Sequence, residues 1–418
     1  MKSRNFIPVY LLEITITFIV GVTSTAISNH LIRDLSYPAW IASIITAVFF
    51  VGFFTATITI GNISDKIEQD KLLKIILTSK IVLNGLYLIP ILSDFYLIFF
   101  GALMFLDGAL NGLFWPTVQN FSVLAEKKGG SMLKKKFLAG YNLSWNLGFL
   151  CGSISGTVFV YITNSNYQAL YLGFIGAIVG TAIAWRFAPR TIKLLKTIAS
   201  TDTKLQSTTT KPESLEDLKI FDNQTDKKNQ KHIQRLIDHP IKLVMAVLLT
   251  HSLIDGALLI ILPLKVLLGD HWIFFLALLK LLSQTISTTS FSYLKDKITL
   301  RYTLIAIIFL LSSWFFILFT ANVLFMALLL IISGFGQGII YTLNMKIMSY
   351  KAQTLDTSRP FALFQSMMST GRILGPIIIG VGALINVNVG VLLLVLYDLT
   401  ILLIFIYFTY FQDNSTSE

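Results

Sequence analysis

The sequence predicts an all-α membrane protein with twelve transmembrane helices in two pseudo-symmetric six-helix bundles. Three observations carry this prediction: long apolar segments, one long polar segment that divides them, and polar motifs that recur in the two halves. Hydrophobic residues make up 54% of the 418 residues and charged residues 13%, whereas a soluble domain averages about 25% charged residues. A soluble core could not bury so much apolar sequence, so we expect a lipid bilayer around it.

Each apolar segment is close to the length that crosses a bilayer core, about 20 residues of helix. Six segments precede and six follow the polar stretch. We therefore predict an N-terminal bundle at 1–187, a cytoplasmic linker at 188–238 and a C-terminal bundle at 239–418. The predicted spans lie near residues 6–29, 40–60, 72–92, 95–124, 137–162, 167–187, 241–264, 272–293, 302–320, 323–349, 361–385 and 389–411.

The basic residues are distributed unequally between the two sides of these spans. Only Arg33 and Lys265 fall in loops that would be external if both termini are cytoplasmic. This asymmetry is the positive-inside pattern, and it predicts a multi-pass protein of the cell (plasma) membrane with both termini in the cytoplasm. The net charge of +11 then reflects topology, so we expect the lipid bilayer as a partner and no nucleic acid.

The two halves repeat one another in sequence. In the fifth and eleventh spans Gly148 matches Gly371 and Gly152 matches Gly375, while in two polar loops Asp65 matches Asp296. Matches in the same order along both halves indicate an internal duplication, an architecture typical of transporters with a site between the repeats. The fourth and tenth spans also share a spacing of four residues, seen in Asp107, Asn111 and Trp115 of "DGALNGLFW" and in Ser333, Gln337 and Tyr341 of "SGFGQGIIY".

The loop after the second span, Gly61-Asn62-Ile63-Ser64-Asp65-Lys66, resembles the loop signature of the major facilitator superfamily. The six-plus-six topology, the central linker and the Gly375-Pro376 step are similar to that family too. The resemblance implies a secondary transporter in which the first, fourth, seventh and tenth spans line a central cavity. It also implies a cytoplasmic gate at Gly61, Asp65 and Lys66, in which Asp65 latches onto the start of the eleventh span. The alternative is a solvated hairpin without a gating role.

Ionisable side chains inside spans are costly to insert, so they mark candidate functional positions. Polar faces on the cavity helices are what a water-filled pathway requires, although a static hydrogen-bond network inside the bundle is the alternative. The predicted substrate and proton pathway contains Glu13, Asp107, Asn111, Trp115, Asn142, Trp145, His251, Asp255, Lys280, Gln337, Tyr341, Asn344 and Arg372.

Asp107 is the first candidate for a protonation site, because loss of solvation disfavours the charged form of a carboxyl group. The alternative is a permanent ion pair, for which Arg372 is the expected partner. Glu13, or His251 with Asp255, could carry the proton instead. Among the remaining basic residues of the spans, Lys80 is expected to be structural or locally paired. Lys280 and Arg372 together would suit an anionic substrate, or they could neutralise internal carboxylates such as Asp398.

Small residues form stripes that permit close helix contact in the fifth and eleventh spans. In the family these helices lie at the seam between the halves, and Pro376 adds an expected kink because it lacks a backbone donor. Simple tight packing is the alternative. The predicted packing and hinge positions are Gly148, Gly152, Gly156, Gly371, Gly375 and Pro376.

The combined expectation is a monomeric secondary transporter that moves a small solute by alternating access, with protons as the coupling ion. Efflux of a drug-like compound and uptake of a sugar or an organic anion both stay open. No Walker loop and no Cys/His cluster occurs, so we expect no cofactor, no metal and no enzymatic activity. The alternatives are a non-transporting sensor and a membrane-embedded enzyme. The sensor would have lost the polar cavity face, and the enzyme would need a catalytic constellation around His251, the only histidine inside a predicted span.

Overall fold

The computed structural model describes residues 6–64, 69–89, 96–186, 241–266, 269–293, 299–355 and 359–408. These ranges are helical with short connections, and they contain no strand. The predicted linker, Asp65, Lys66 and Asp296 lie outside them, whereas Gly61 belongs to the second helix. The helices are α1 (Ile7–Asn29), α2 (Ala39–Ser64), α3 (Gln69–Leu86), α4 (Tyr96–Thr163), α5 (170–186), α6 (Ile241–Lys265), α7 (His271–Tyr293), α8 (Thr299–Phe319), α9 (Val323–Leu355), α10 (Arg359–Gly382) and α11 (Val387–Ile406).

The all-helical prediction is confirmed, and every predicted span coincides with helix in the described ranges. Within the described ranges, ten segments are long and apolar enough to cross a membrane. The other two predicted spans are α3 and α10, with 18 and 24 residues. Both are more polar, since α3 contains Lys71, Lys74 and Lys80 and α10 contains Arg359 and Arg372. These two helices therefore depend on protein contacts to accommodate charge.

The helix α4 contains the fourth and fifth predicted spans, at Tyr96–Val118 and Gly140–Thr163. The ring centroids of Trp115 and Tyr141 lie 6.0 Å apart. A straight helix would separate these residues by about 39 Å at 1.5 Å per residue. The two parts of α4 therefore pack as separate helices that lie side by side.

Helix packing repeats in the two halves. In the N-terminal half (α1–α5), α1 and α2 pack on α4; in the C-terminal half (α6–α11), α6 packs on α10 and α7 on α9. The halves meet through α2 with α10 and through α4 with α7. These two contacts between the halves are equivalent under the internal duplication. The second span corresponds to the eighth and the fifth to the eleventh, so each contact joins one helix of each kind.

Gly108 and Gly334 directly follow Asp107 and Ser333 in the matching motifs of the fourth and tenth spans, and they occupy matching helix crossings. A Cβ at Gly108 would overlap the Phe49 carbonyl of α2, and one at Gly334 would overlap the Lys280 carbonyl of α7. Close contact of this kind needs a residue without a side chain. The backbones of α2 and α7 can therefore approach their partners closely, which places Phe49 and Lys280 at equivalent points of the two halves.

The predicted packing glycines fall into two groups. Gly148 and Gly152 lie against α1, and Gly371 and Gly375 lie against α6, so all four pack within a half. Gly156 differs, because a Cβ there would meet the Phe274 ring of the other half at 2.6 Å. The helix α10 continues through Pro376, whose Cδ lies against Gly256 of α6. The expected kink and hinge role stay predictions.

Replacing Gly148 by Ala should lower the melting temperature of the purified protein in detergent. The new Cβ would overlap Thr17 and the Ile14 carbonyl, and overpacking of this kind costs about 1–3 kcal/mol, which exceeds the gain in helix propensity of about 1 kcal/mol. Gly101→Ala is the matched control, since its Cβ would meet only the flexible end of Ile45, at 3.3 Å. Equal melting temperatures for the two variants would contradict the close α1–α4 crossing.

Candidate functional site

A cavity of about 180 Å³ lies between the two halves. The first, fourth, seventh and tenth spans line it, as the resemblance implied, and the second, fifth, eighth and eleventh spans contribute as well. Most of its wall is apolar and aromatic, which favours an apolar occupant. The polar and charged lining residues are Ser24, Thr25, Asn29, Asn111, Ser153, Asp255, Lys280, Gln284, Gln365 and Arg372.

A charge cluster around Asp255 forms one wall of this cavity. Asp255 Oδ1 accepts hydrogen bonds from Lys280 Nζ and from Gln337 Nε2, the latter at 3.2 Å. Asp255 Oδ2 accepts from Arg372 Nη2 at 3.1 Å. Lys280 Nζ also donates to Gln284 Oε1 at 2.9 Å. One carboxylate thus links α6, α7, α9 and α10. An unpaired charge at this depth would be strongly destabilising, so this pairing is needed to keep Lys280 and Arg372 in the bundle.

The members of this charge cluster differ in how far they reach the cavity. The exposed side-chain fraction is 24% for Arg372, 14% for Asp255 and 6% for Lys280. The guanidinium carbon of Arg372 lies 5.9 Å from the centre of the Phe50 ring, a cation–π contact with α2 of the other half. Arg372 is therefore the charged group that the cavity presents most openly.

His251 and Gln337 support the charge cluster from behind the cavity wall. Gln337 Nε2 donates to the His251 backbone carbonyl at 3.0 Å as well as to Asp255. His251 Nε2 lies 3.7 Å from Asp255 Oδ2, which is too long for a hydrogen bond. The ring centroids of His251 and Tyr341 are 5.9 Å apart. Neither His251 nor Gln337 lines the cavity.

The N-terminal half faces the charge cluster with amide groups. Asn29 is fully buried, and neither of its side-chain amide atoms has a hydrogen-bond partner among the described residues. Asn111 Nδ2 donates to the Asp107 carbonyl at 2.8 Å, whereas its Oδ1 has no partner there. Both residues line the cavity. Buried amide atoms without partners are uncommon, so these groups are available to an occupant.

Glu13 is fully buried beside the cavity rather than in its wall. No described residue donates to either carboxylate oxygen. It lies about two turns of α1 from Val20, which lines the cavity, and it is close enough to Tyr341 of the other half for an electrostatic interaction. Asn142 and Asn344 also lie outside the wall, each with one buried amide atom that has no partner in the described ranges.

Asp107 lies in a buried ion pair with Lys80 of α3, away from the cavity. The exposed side-chain fractions of Lys80 and Asp107 are 0% and 2%. The prediction that Arg372 is the ion-pair partner of Asp107 is therefore wrong, because Arg372 binds Asp255 instead. The local pairing that was expected for Lys80 is confirmed, since α3 and α4 are neighbours in the N-terminal half.

A second polar cluster joins the halves at the end predicted to be external. Arg33 Nε donates to the Pro263 carbonyl at 3.0 Å, its Nη1 donates to Asp270 Oδ1 at 3.2 Å, and its Nη2 donates to the Val266 carbonyl. Asn166 Nδ2 donates to Asp34 Oδ1 at 2.9 Å and to Asp270 Oδ2 at 2.6 Å. We call Arg33, Asp34, Asn166 and Asp270 the external latch.

The sequence analysis used Arg33 only as a topology marker and did not identify the external latch. The signal available was the presence of charged residues of both signs, Arg33, Asp34 and Asp270, in short loops of both halves. At the other end of the cavity an aromatic contact joins the halves. The ring centroids of Trp145 and Tyr341 lie 5.6 Å apart, so the cavity lies between a polar closure and an aromatic one.

The part of the chain that the structure describes contains no group of three or more His, Cys, Asp or Glu that could hold a metal ion. Its buried titratable groups include the pair of Lys80 with Asp107, the cluster around Asp255, and Glu13, which has no donor among the described residues.

Comparisons with known proteins give the context of this site. The family described as Major Facilitator Superfamily matches residues 9–376. The fold is similar to PepTSo, a POT family transporter, at 11% identity and a TM-score of 0.72, over 100% of this chain and 99% of that chain. It is also similar to the nucleoside transporter NupG at 12% identity and a TM-score of 0.62, over 97% and 99%. The fold is also similar to a structure of proton dependent oligopeptide transporters, at 12% identity and a TM-score of 0.66, over 97% of each chain. A comparison with curated proteins gave no match.

Replacing Lys80 by Met should strongly destabilise the protein, by about 3–5 kcal/mol, because it leaves Asp107 as an uncompensated buried charge. The double variant Lys80→Met, Asp107→Leu should recover most of this loss, since it removes both charges. Melting temperatures in detergent check both expectations. A double variant no more stable than Lys80→Met would contradict the assignment of this pair as a self-contained unit.

Proposed function

This chain belongs to the major facilitator superfamily of secondary transporters, and we propose that it carries a small solute across the cell membrane by alternating access with protons as the coupling ion. The cavity between the halves, with its charge cluster at Asp255, is the observation that carries this proposal. The solute would bind there, and the halves would open in turn to each side. Both termini lie in the cytoplasm in this proposal, in accord with the distribution of basic residues.

The external latch suits a closure that opens repeatedly. The ion pair of Arg33 with Asp270 is partly exposed, with exposed side-chain fractions of 23% and 25%, whereas Asn166 is fully buried. Exposed ion pairs contribute only about 0.2–1 kcal/mol each, and solvent reaches both members of this pair. A few such contacts between the halves can be exchanged for water without unfolding either half.

Glu13 is the group that we assign to the proton. Its carboxyl has no donor among the described residues, so a proton is what would compensate it in this conformation. Asp107 was the first candidate in the sequence, but its charge is already compensated by Lys80. Glu13 is also within electrostatic reach of Tyr341, whose ring lies 5.9 Å from that of His251, and His251 Nε2 lies 3.7 Å from Asp255 Oδ2.

Proteoliposomes that contain a pH-sensitive dye test the proposal. The solutes to test are a dipeptide (alanyl-alanine) and a nucleoside (uridine), which correspond to the names of the structural neighbours, together with 2-naphthoate and glucose. We expect at least one of them to move protons with it. Glu13→Gln should abolish solute-driven proton movement while counterflow of the solute without a pH gradient continues, because the neutral amide mimics the protonated carboxyl.

Asp398→Asn is the matched control for Glu13→Gln. Asp398 is also a fully buried carboxyl, with no partner for Oδ2 in the described ranges, but it lies on α11 and does not line the cavity. It should leave proton movement unchanged. Solute flux without proton movement in the unmodified protein would refute the coupling, and no flux of any of the four solutes would count against transport by this cavity.

A further inference from the structure

We propose that the cavity selects a small amphiphilic organic anion, with its anionic head at Arg372, a flat apolar body on the aromatic walls and a hydrogen-bonding group directed to Asn29 and Asn111. The inference rests on the proposed transport function for its use of the cavity. It goes further in naming the chemical class of the solute, and it is supported by charge, by free donors and by wall composition.

The charge balance of the cavity wall favours an anion. Its charged residues are two cations, Lys280 and Arg372, and one carboxylate, Asp255. The net charge of these three is positive, and a proton on the neighbouring His251 would only increase it. Excess buried charge in an apolar setting calls for a counterion. A monoanion would complete the pairing of the cluster.

The hydrogen bonds of the cluster leave charged donors for that anion, whereas its carboxylate is already engaged. Asp255 already accepts from Lys280, Gln337 and Arg372. Arg372 uses only Nη2 among the described residues, so Nε and Nη1 have no bond there. A guanidinium offers its donors as a planar fork that matches a carboxylate. The cation–π contact with Phe50 orients this fork beside the cavity.

The remaining wall accounts for the body of the solute. Aromatic side chains from both halves, among them Phe50, Trp115, Trp145 and Tyr341, line the cavity. Flat apolar compounds pack well on such rings. Asn29 and Asn111 add buried amide atoms without partners from the N-terminal half. A hydroxyl or amide on the solute can satisfy these atoms, and a solute that also binds Arg372 would contact both halves at once.

A matched set of naphthalene compounds tests the assignment by isothermal titration calorimetry at pH 7 with the full chain in detergent. We expect 6-hydroxy-2-naphthoate to bind most tightly. 2-Naphthoate lacks the hydroxyl, so it should bind about fivefold more weakly, which corresponds to the loss of one hydrogen bond. Loss of the charge in 2-naphthamide should weaken it by about tenfold or more, and 2-naphthylmethylammonium should bind more weakly still.

Arg372→Gln should reduce binding of 2-naphthoate by about tenfold or more but retain binding of 2-naphthamide, which shows that the variant cavity is intact. Arg301→Gln is the matched control, because it removes one positive charge from the same half at an exposed position on α8. It should bind all four compounds as the unmodified protein does.

The proposal is overturned if the ammonium compound binds at least as tightly as 2-naphthoate, if Arg372→Gln binds 2-naphthoate unchanged, or if none of the four compounds binds. These outcomes are distinct from failure of the transport proposal. Binding in the expected order without flux in proteoliposomes would support the anion site and count against transport.

Discussion

The carboxylate of Asp255 is the interaction on which the arrangement around the cavity depends. It receives hydrogen bonds from three other helices, namely α7, α9 and α10. Without it, Lys280 and Arg372 would face each other as unpaired cations in an apolar bundle, which is far more costly than the pairing itself is favourable. Asp255 therefore keeps two positive charges close to a cavity that could not otherwise retain them.

Within each half, helices cross closely at glycines, whereas the contacts between the halves differ at the two ends of the cavity. The external latch is polar and partly exposed, and the contact of Trp145 with Tyr341 is aromatic and buried. A bound anion would share Arg372 with Asp255 and touch both halves. A ligand shifts a conformational equilibrium only through contacts that differ between the states, and a solute between the halves can make such contacts.

The sequence predicted the helices and their repeat well, because apolar length and glycine spacing are local signals that the bilayer and close helix crossings impose. Which charged side chains form ion pairs was less predictable from the sequence. Asp107 and Arg372 were candidates for a pair at similar depth, but depth does not reveal which faces of two helices meet, and Lys80 on α3 binds Asp107 instead. The external latch was missed for a related reason. Two of the three groups that Arg33 binds are backbone carbonyls, and these have no sequence signature.

Distance measurements between spin labels at both ends of the cavity test alternating access most directly. On a Cys151→Ser background, one label pair is placed at the latch end at Leu35 and Ala321, and another at the opposite end at Arg186 and Lys242, all exposed positions. Arg33→Ala should add a longer distance between the first pair but not between the second, because the contact of Trp145 with Tyr341 keeps that end closed. Unchanged distributions for both pairs in a folded Arg33→Ala variant would contradict the account.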